Sequence, residues 1–166
     1  MAIIYPEGTL SKPFLNYGFA VKKDTQSFGA SSSFTTISGC SVSIGLQNSS
    51  NYFFISAQIT IGCGSATSVV AVLQAGGSPI DGLRHNSSGN RMRGTSRSSQ
   101  DNRFEAHTIP LVGIYSPGTT SSQTFTIGGS TNAGTFYVNR SESSNNDTSR
   151  DSSVLITSIS VFEVAA

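Results

Sequence analysis

NYFFISAQITIGC, Asn51–Cys63, decides the fold. Phe53, Ile55, Ala57, Ile59 and Ile61 fall on one parity, and Phe54, Ser56, Gln58 and Thr60 fall on the other. A strand points alternate side chains to opposite faces, so this period of two predicts a half-buried β-strand with the first set turned inward.

Similar short stretches lie on either side, separated by Gly, Ser, Asn and Pro. Upstream are Leu15, Tyr17, Phe19 and Val21 at strand spacing, then Phe34–Ile37 and Cys40–Leu46. Downstream are Thr67–Gln74, a short piece at Pro79–Leu83, Glu105–Tyr115, Gln123–Ile127, Thr135–Asn139 and Val154–Val164. No stretch combines helical periodicity with caps. Short strands at turn-marked intervals predict an all-β chain, an antiparallel sandwich of jelly-roll type.

The last of these strands differs from the rest. Val154, Ile156, Phe162 and Val164 share one parity, and Leu155, Ile159 and Val161 share the other. Two apolar faces ask for burial on both sides, whereas a small β-domain has one core. A neighbouring copy of the chain supplies the second layer most simply, so the first four residues are read as an oligomer interface.

Residues 1–27 are read as an extended arm and 28–166 as the jelly-roll domain. The arm carries Ile3, Ile4, Tyr5, Phe14, Tyr17 and Phe19, and Pro6 and Pro13 break it into extended pieces. Two readings stand: an edge strand covering the sandwich, or an arm that docks these residues on a neighbouring protein.

The composition narrows function. The 166 residues carry 11% charged side chains, against a usual ~25%, and a formal net charge of +1. Such a molecule has no field to steer it toward nucleic acid or a membrane surface. No apolar run approaches the ~20 residues of a membrane span, and no signal-peptide pattern precedes Tyr5, so a whole chain made in a cytoplasm is expected.

The charge that exists is partly gathered. Arg84, Arg91, Arg93, Arg97 and Arg103 are five of the ten Lys and Arg residues. They read either as a solvated loop paired with Asp81, Asp101 and Glu105, or as a contact loop for an acidic protein surface, phosphate or glycan. The stretch Asn86–Asn102 interleaves no aromatics, so nucleic acid is not expected. This stretch and Asn139–Ser153 are polar insertions, read as loops.

Catalytic signals are missing. The acids are scattered, and Asp147 with Asp151 is the one pair near enough in sequence to share a site. His85 and His107 lack metal-ligand spacing. Neither a Gly-x-Ser-x-Gly elbow nor a phosphate-binding Gly-x-x-x-x-Gly-Lys-Ser/Thr loop occurs. A polysaccharide-cleaving enzyme would need paired carboxylates ~5–10 Å apart, which no reliable strand supplies. No enzyme activity, cofactor or metal is expected. Cys40 and Cys63 fall on apolar parities and read as buried thiols, with a disulfide between them as the other option. Asn-x-Ser/Thr triplets at Asn48, Asn86, Asn139 and Asn146 read as turns and loops.

Several segments carry a resemblance: SGCSVSI from Ser38, the Gly-Asn-Arg-x-Arg run at Gly89–Arg93, SPGTTSSQTFTI from Ser116, GTFYVNRS from Gly134 and ISVFEVAA from Ile159. In this order, from Ser38 to Ala166, the chain resembles small virion proteins of tailed bacteriophages, of the marine and cyanobacterial type. Those proteins are similar in pattern to trimeric jelly-roll heads of the tumour-necrosis-factor and complement type, whose final strand lies near the threefold axis. The resemblance implies a homotrimer on a virion that contacts the major capsid protein or other virion proteins. It implies a capsid decoration or cement protein, made in the host cytoplasm. The alternative is a tail-fibre or spike head that binds a host glycan.

Overall fold

The computed structural model describes residues 14–63, 67–86, 92–100, 104–142 and 155–166. Among these residues eleven strands run in chain order: β1 (Asn16–Lys22), β2 (Gln26–Gly29), β3 (Thr35–Ile44), β4 (Tyr52–Cys63), β5 (Thr67–Ala75), β6 (Ser78–Pro79), β7 (Ser96–Gln100), β8 (His107–Tyr115), β9 (Gln123–Thr131), β10 (Thr135–Val138) and β11 (Thr157–Val164). One 3-10 turn, Asp81–Leu83, interrupts them. The strands form two antiparallel sheets, one of six strands and one of five. Strands β1, β11, β4 and β8 lie side by side in the first, and β3, β9, β5 and β7 in the second. The chain is an all-β jelly-roll sandwich.

β4 is the spine of the larger sheet. One edge pairs with β8 from Phe53 to Ile61, and the other takes two strands end to end. β11 occupies Tyr52 to Gln58, and β10 occupies Ile61 to Cys63. β1 and β2 repeat the break one strand further out, pairing with β11 and β10 respectively. A seam therefore crosses the sheet beside Thr60.

The inward set of β4 is where the periodicity placed it. Phe53, Ile55, Ile59 and Ile61 have no exposed surface and pack with Ile109, Leu111, Phe125, Ile127, Ile159 and Val161. Phe53 and Phe125 meet edge to face with centroids 4.9 Å apart, joining the two sheets at the centre of the core.

Other expectations are revised. Phe34–Ile37 and Cys40–Leu46 form one strand, β3, whose register against β9 shifts between Thr36 and Ser41. Gly39 sits in that irregularity with φ of +70°, a conformation that side chains with a Cβ resist. The stretch Asn86–Asn102, read as a loop, contains β7, which pairs with β5 from Thr67 to Ala71. β7 reads Ser-Arg-Ser-Ser-Gln, with no apolar residue, so hydrophobic periodicity had nothing to register. Residue 27 lies within β2, and Asn16–Lys22 pairs with β11 as an edge strand of the sheet.

Candidate functional site

The outer face of the six-stranded sheet gathers most of the described residues expected at contacts. Cross-strand register puts Tyr17 opposite Phe162, Phe162 opposite Phe54, and Phe54 opposite Ile114. The next row outward runs Phe19, Ser160, Ser56, Val112. Phe14 packs against Phe162 with centroids 4.6 Å apart and the rings tilted by 37°, and Phe54 lies 6.4 Å from the same ring. Tyr17 is 73% exposed, Phe19 64%, Ile114 59% and Val112 56%. Single exposed apolar side chains are ordinary, but contiguous rows of them mark interaction surfaces. No outward position of β1, β11, β4 or β8 carries a charge.

β11 is two-sided in a more specific sense than expected. Ile159 and Val161 enter the core, while Phe162 and Val164 lie half-buried on the outer face. Ile156 precedes the strand and is 47% exposed. Val154, Ile3, Ile4 and Tyr5 lie outside the described residues.

The inner face of β11 also holds two polar residues with no exposed surface, Thr157 and Glu163. Glu163 Oε1 accepts the Gln47 backbone N–H at 2.7 Å and the Asn51 side-chain amide at 2.7 Å. Thr157 stands at the seam with Asn139. Asn139 has φ of +64° and no exposed surface. Its amide nitrogen donates to the carbonyls of Lys22 and Asp24, both at 2.9 Å. Its side-chain oxygen accepts the Thr157 hydroxyl at 2.7 Å, and Thr157 Oγ1 accepts the Thr60 N–H at 3.2 Å. The Asn139 N–H goes to the Thr60 carbonyl at 2.8 Å. One asparagine thus satisfies the backbone groups that two end-to-end strand breaks would strand. The triplet at Asn139 is core structure rather than a surface loop. Asn48 does form a turn, its side-chain oxygen accepting the Ser50 N–H at 3.0 Å. Sequence signals existed for the buried groups: Glu163 shares parity with Ile159 and Val161, and Asn139 directly follows the inward Val138.

Of the arginines, Arg84 and Arg93 converge on Asp81. Arg84 bonds it directly and Arg93 Nη2 stands 3.8 Å from the same oxygen. The Arg84 guanidinium holds the Asp81 carboxyl below its ordinary value. Arg97 projects from β7, and its Nη2 donates to Ser68 Oγ at 2.7 Å. Arg91 and Arg103 lie outside the described residues, as do Asp147 and Asp151.

Cys40 and Cys63 are buried thiols that are not joined in a disulfide. Burial pushes both up to about 11. Among the described residues no three His, Cys, Asp or Glu side chains group as metal ligands, and no helix is long and apolar enough to cross a membrane. His107 Nε2 lies 3.2 Å from Glu105, and its Nδ1 lies 3.2 Å from Ser98 Oγ.

No family model and no curated protein matches the chain. Among solved structures it is distantly similar to infectious bursal disease virus, Gt strain, with a TM-score of 0.45 and 10% identity over 90% of this chain and 42% of that one. A VP2 subviral particle of the same virus gives a TM-score of 0.42 and 12% identity over 90% and 41%. The chain spans about two fifths of the length of those chains. No residue role is carried over from this distant likeness.

Proposed function

We propose that this protein is a non-enzymatic structural component of a tailed-phage virion, a homotrimer that decorates the capsid exterior and stabilises the shell. The uncharged, aromatic outer face formed by β1, β11, β4 and β8 carries the reading. Three copies packed through this face about an axis along β11 and β4 would bury Tyr17, Phe19, Phe162 and Ile114. The resemblance of GTFYVNRS and ISVFEVAA to phage virion proteins supports threefold symmetry. Residues 1–13, with Ile3, Ile4 and Tyr5, would reach the major capsid protein. Each contact is modest, and three per trimer act together through effective concentration. Binding that favours the expanded shell then resists internal pressure by mass action.

Light scattering tests the assembly: a trimer of the 17.3-kDa chain weighs about 52 kDa. A 17.3-kDa particle would remove the role given to the apolar face, and one of about 35 kDa would replace the threefold by a twofold. Copy number per virion tests the location. Hundreds of copies in simple ratio to the major capsid protein mean shell decoration; a few to a few dozen mean a tail or vertex position.

The second reading is a tail-fibre or spike head that binds a host glycan. One observation favours it, an open groove on the opposite face of the sandwich.

A further inference from the structure

We infer that the outer face of the five-stranded sheet binds a carboxylate-bearing polysaccharide, a polyuronate in chemical class. The inference deepens the glycan reading of this groove and is independent of the trimer. Its floor is a cross-strand row in which Arg97 of β7 lies opposite Val70 of β5, and Val70 opposite Ser130 of β9. Two chain segments rise on either side. Residues 30–34 are pinned by the Ser31 N–H to the Thr131 carbonyl at 2.9 Å and by the Ser130 hydroxyl to the Ser31 carbonyl. Residues 92–95 are pinned by the Thr95 N–H to the Ala71 carbonyl at 2.9 Å. That second wall lies flat on the sheet because residue 94 is glycine; a Cβ there would collide with Val70 Cγ1.

Between the walls is an open space of about 770 Å³. Past Ser32 and Met92 it adjoins a second of about 500 Å³, bordered by Phe34, Gln74, Arg84 and Arg93. The first alone has the volume of a small-molecule site, and the pair form a trough suited to a linear ligand.

The chemistry of the trough is cationic and hydroxylic. Arg84, Arg93 and Arg97 are distributed along it, with Asp81 offsetting one of the three charges. Arg97 is held by a neutral partner, the Ser68 hydroxyl, and among the described residues it forms no ion pair. Its planar fork is therefore oriented with no compensating carboxylate among the described residues, the arrangement that recognises a carboxylate in two-pronged fashion. Ser68, Ser130 and Asn132 lie beside it, and such groups donate and accept hydrogen bonds as sugar hydroxyls do.

An extended acidic peptide fits less well. It gains affinity by adding a strand to a free edge, but the trough lies on a sheet face, and β5 is already paired with β9 and β7 along the floor. Nucleic acid would require stacking platforms, and Phe34 is the one aromatic among the described lining.

The test is calorimetric binding of alginate oligomers to the intact protein, with neutral dextran and poly-glutamate as comparators. Alginate should bind at least tenfold more tightly than either. Arg97→Ala should cost about tenfold and Arg97→Lys should recover only part of it, since lysine keeps the charge and loses the fork. Ser68→Ala, which leaves every charge in place, should weaken binding severalfold by releasing Arg97. Arg97 is exposed, and an unchanged melting curve will show that its variants fold. No alginate binding, or wild-type binding by Arg97→Ala, would overturn the inference. Equal binding of poly-glutamate would assign the trough to acidic protein segments instead. Light-scattering mass on the same samples reports the assembly separately, so either reading can fail without the other.

Discussion

Thr157 and Asn139, 18 residues apart in sequence, meet through one hydrogen bond of 2.7 Å from Thr157 Oγ1 to Asn139 Oδ1, with neither side chain exposed. The pair closes the seam where β10 ends and β11 begins. Asn139→Ala removes the donor to two carbonyls and places a Cβ-only side chain at positive φ. The expected loss is about 2–4 kcal/mol, from two or more unmade buried hydrogen bonds plus the left-handed backbone. Asn139→Asp should lose at least as much, because it sets a carboxylate against the Lys22 and Asp24 carbonyls. Urea unfolding measures both.

Glu163 anchors the opposite end of β11 by accepting from Gln47 and Asn51. Glu163→Ala leaves the buried Asn51 amide and the more exposed Gln47 N–H without this acceptor and should cost about 1–3 kcal/mol. Chemical unfolding should show a lower midpoint at unchanged slope; a change within a few tenths of a kcal/mol would mean that water replaces the carboxylate.

On the outer face, Phe19→Asp and Ile114→Asp alter side chains that are 64% and 59% exposed, so the isolated domain should keep its fold. For the proposed trimer of about 52 kDa, each should leave only the 17.3-kDa chain, because assembly through this face would desolvate the new carboxylate. A folded variant that keeps the trimer mass would move the interface elsewhere.

The two thiols make a pH prediction. Both stand near 11 in the folded protein against an ordinary 9.0, because burial disfavours the thiolate. The unfolded chain therefore gives up these protons first as pH rises. The contribution to stability is complete below pH 9.0 and is lost as pH climbs toward 11. Comparing urea midpoints at about pH 8 and about pH 10 should show that loss, reduced in a Cys40→Ala/Cys63→Ala double variant. Thiol reagents should label both cysteines only on unfolding.

The sandwich was legible because its core strands obey a period of two: Asn51–Cys63 displays the interior directly. The elements that escaped are those whose stability is not written in side-chain pattern. β7 is held by backbone pairing to β5 and contributes serines and an arginine to the surface. β3 reads as two strands because the irregularity at Gly39 shifts its parity. The seam was illegible for another reason. Asn139 looks like the start of a polar loop until strands distant in sequence bring Lys22, Asp24, Thr60 and Thr157 around it. The apolar outer face was half visible, since the Phe162 parity was evident, but its extension to Tyr17, Phe54 and Ile114 depends on register.

The position of β11 has a consequence for synthesis. It fills the slot between β1 and β4, the strand made first among these and the one that spans the sheet. Until residues 157–164 have left the ribosome, β1 has no strand to join, and the edge of β4 that carries Phe53 and Phe54 stands open. Any nascent chain that has passed β4 but not yet β11 presents this open edge, and an unpaired edge is a template for pairing with another chain. The strand that completes the sheet is thus made after every strand it must join, and the cell has to keep those partners apart until it arrives.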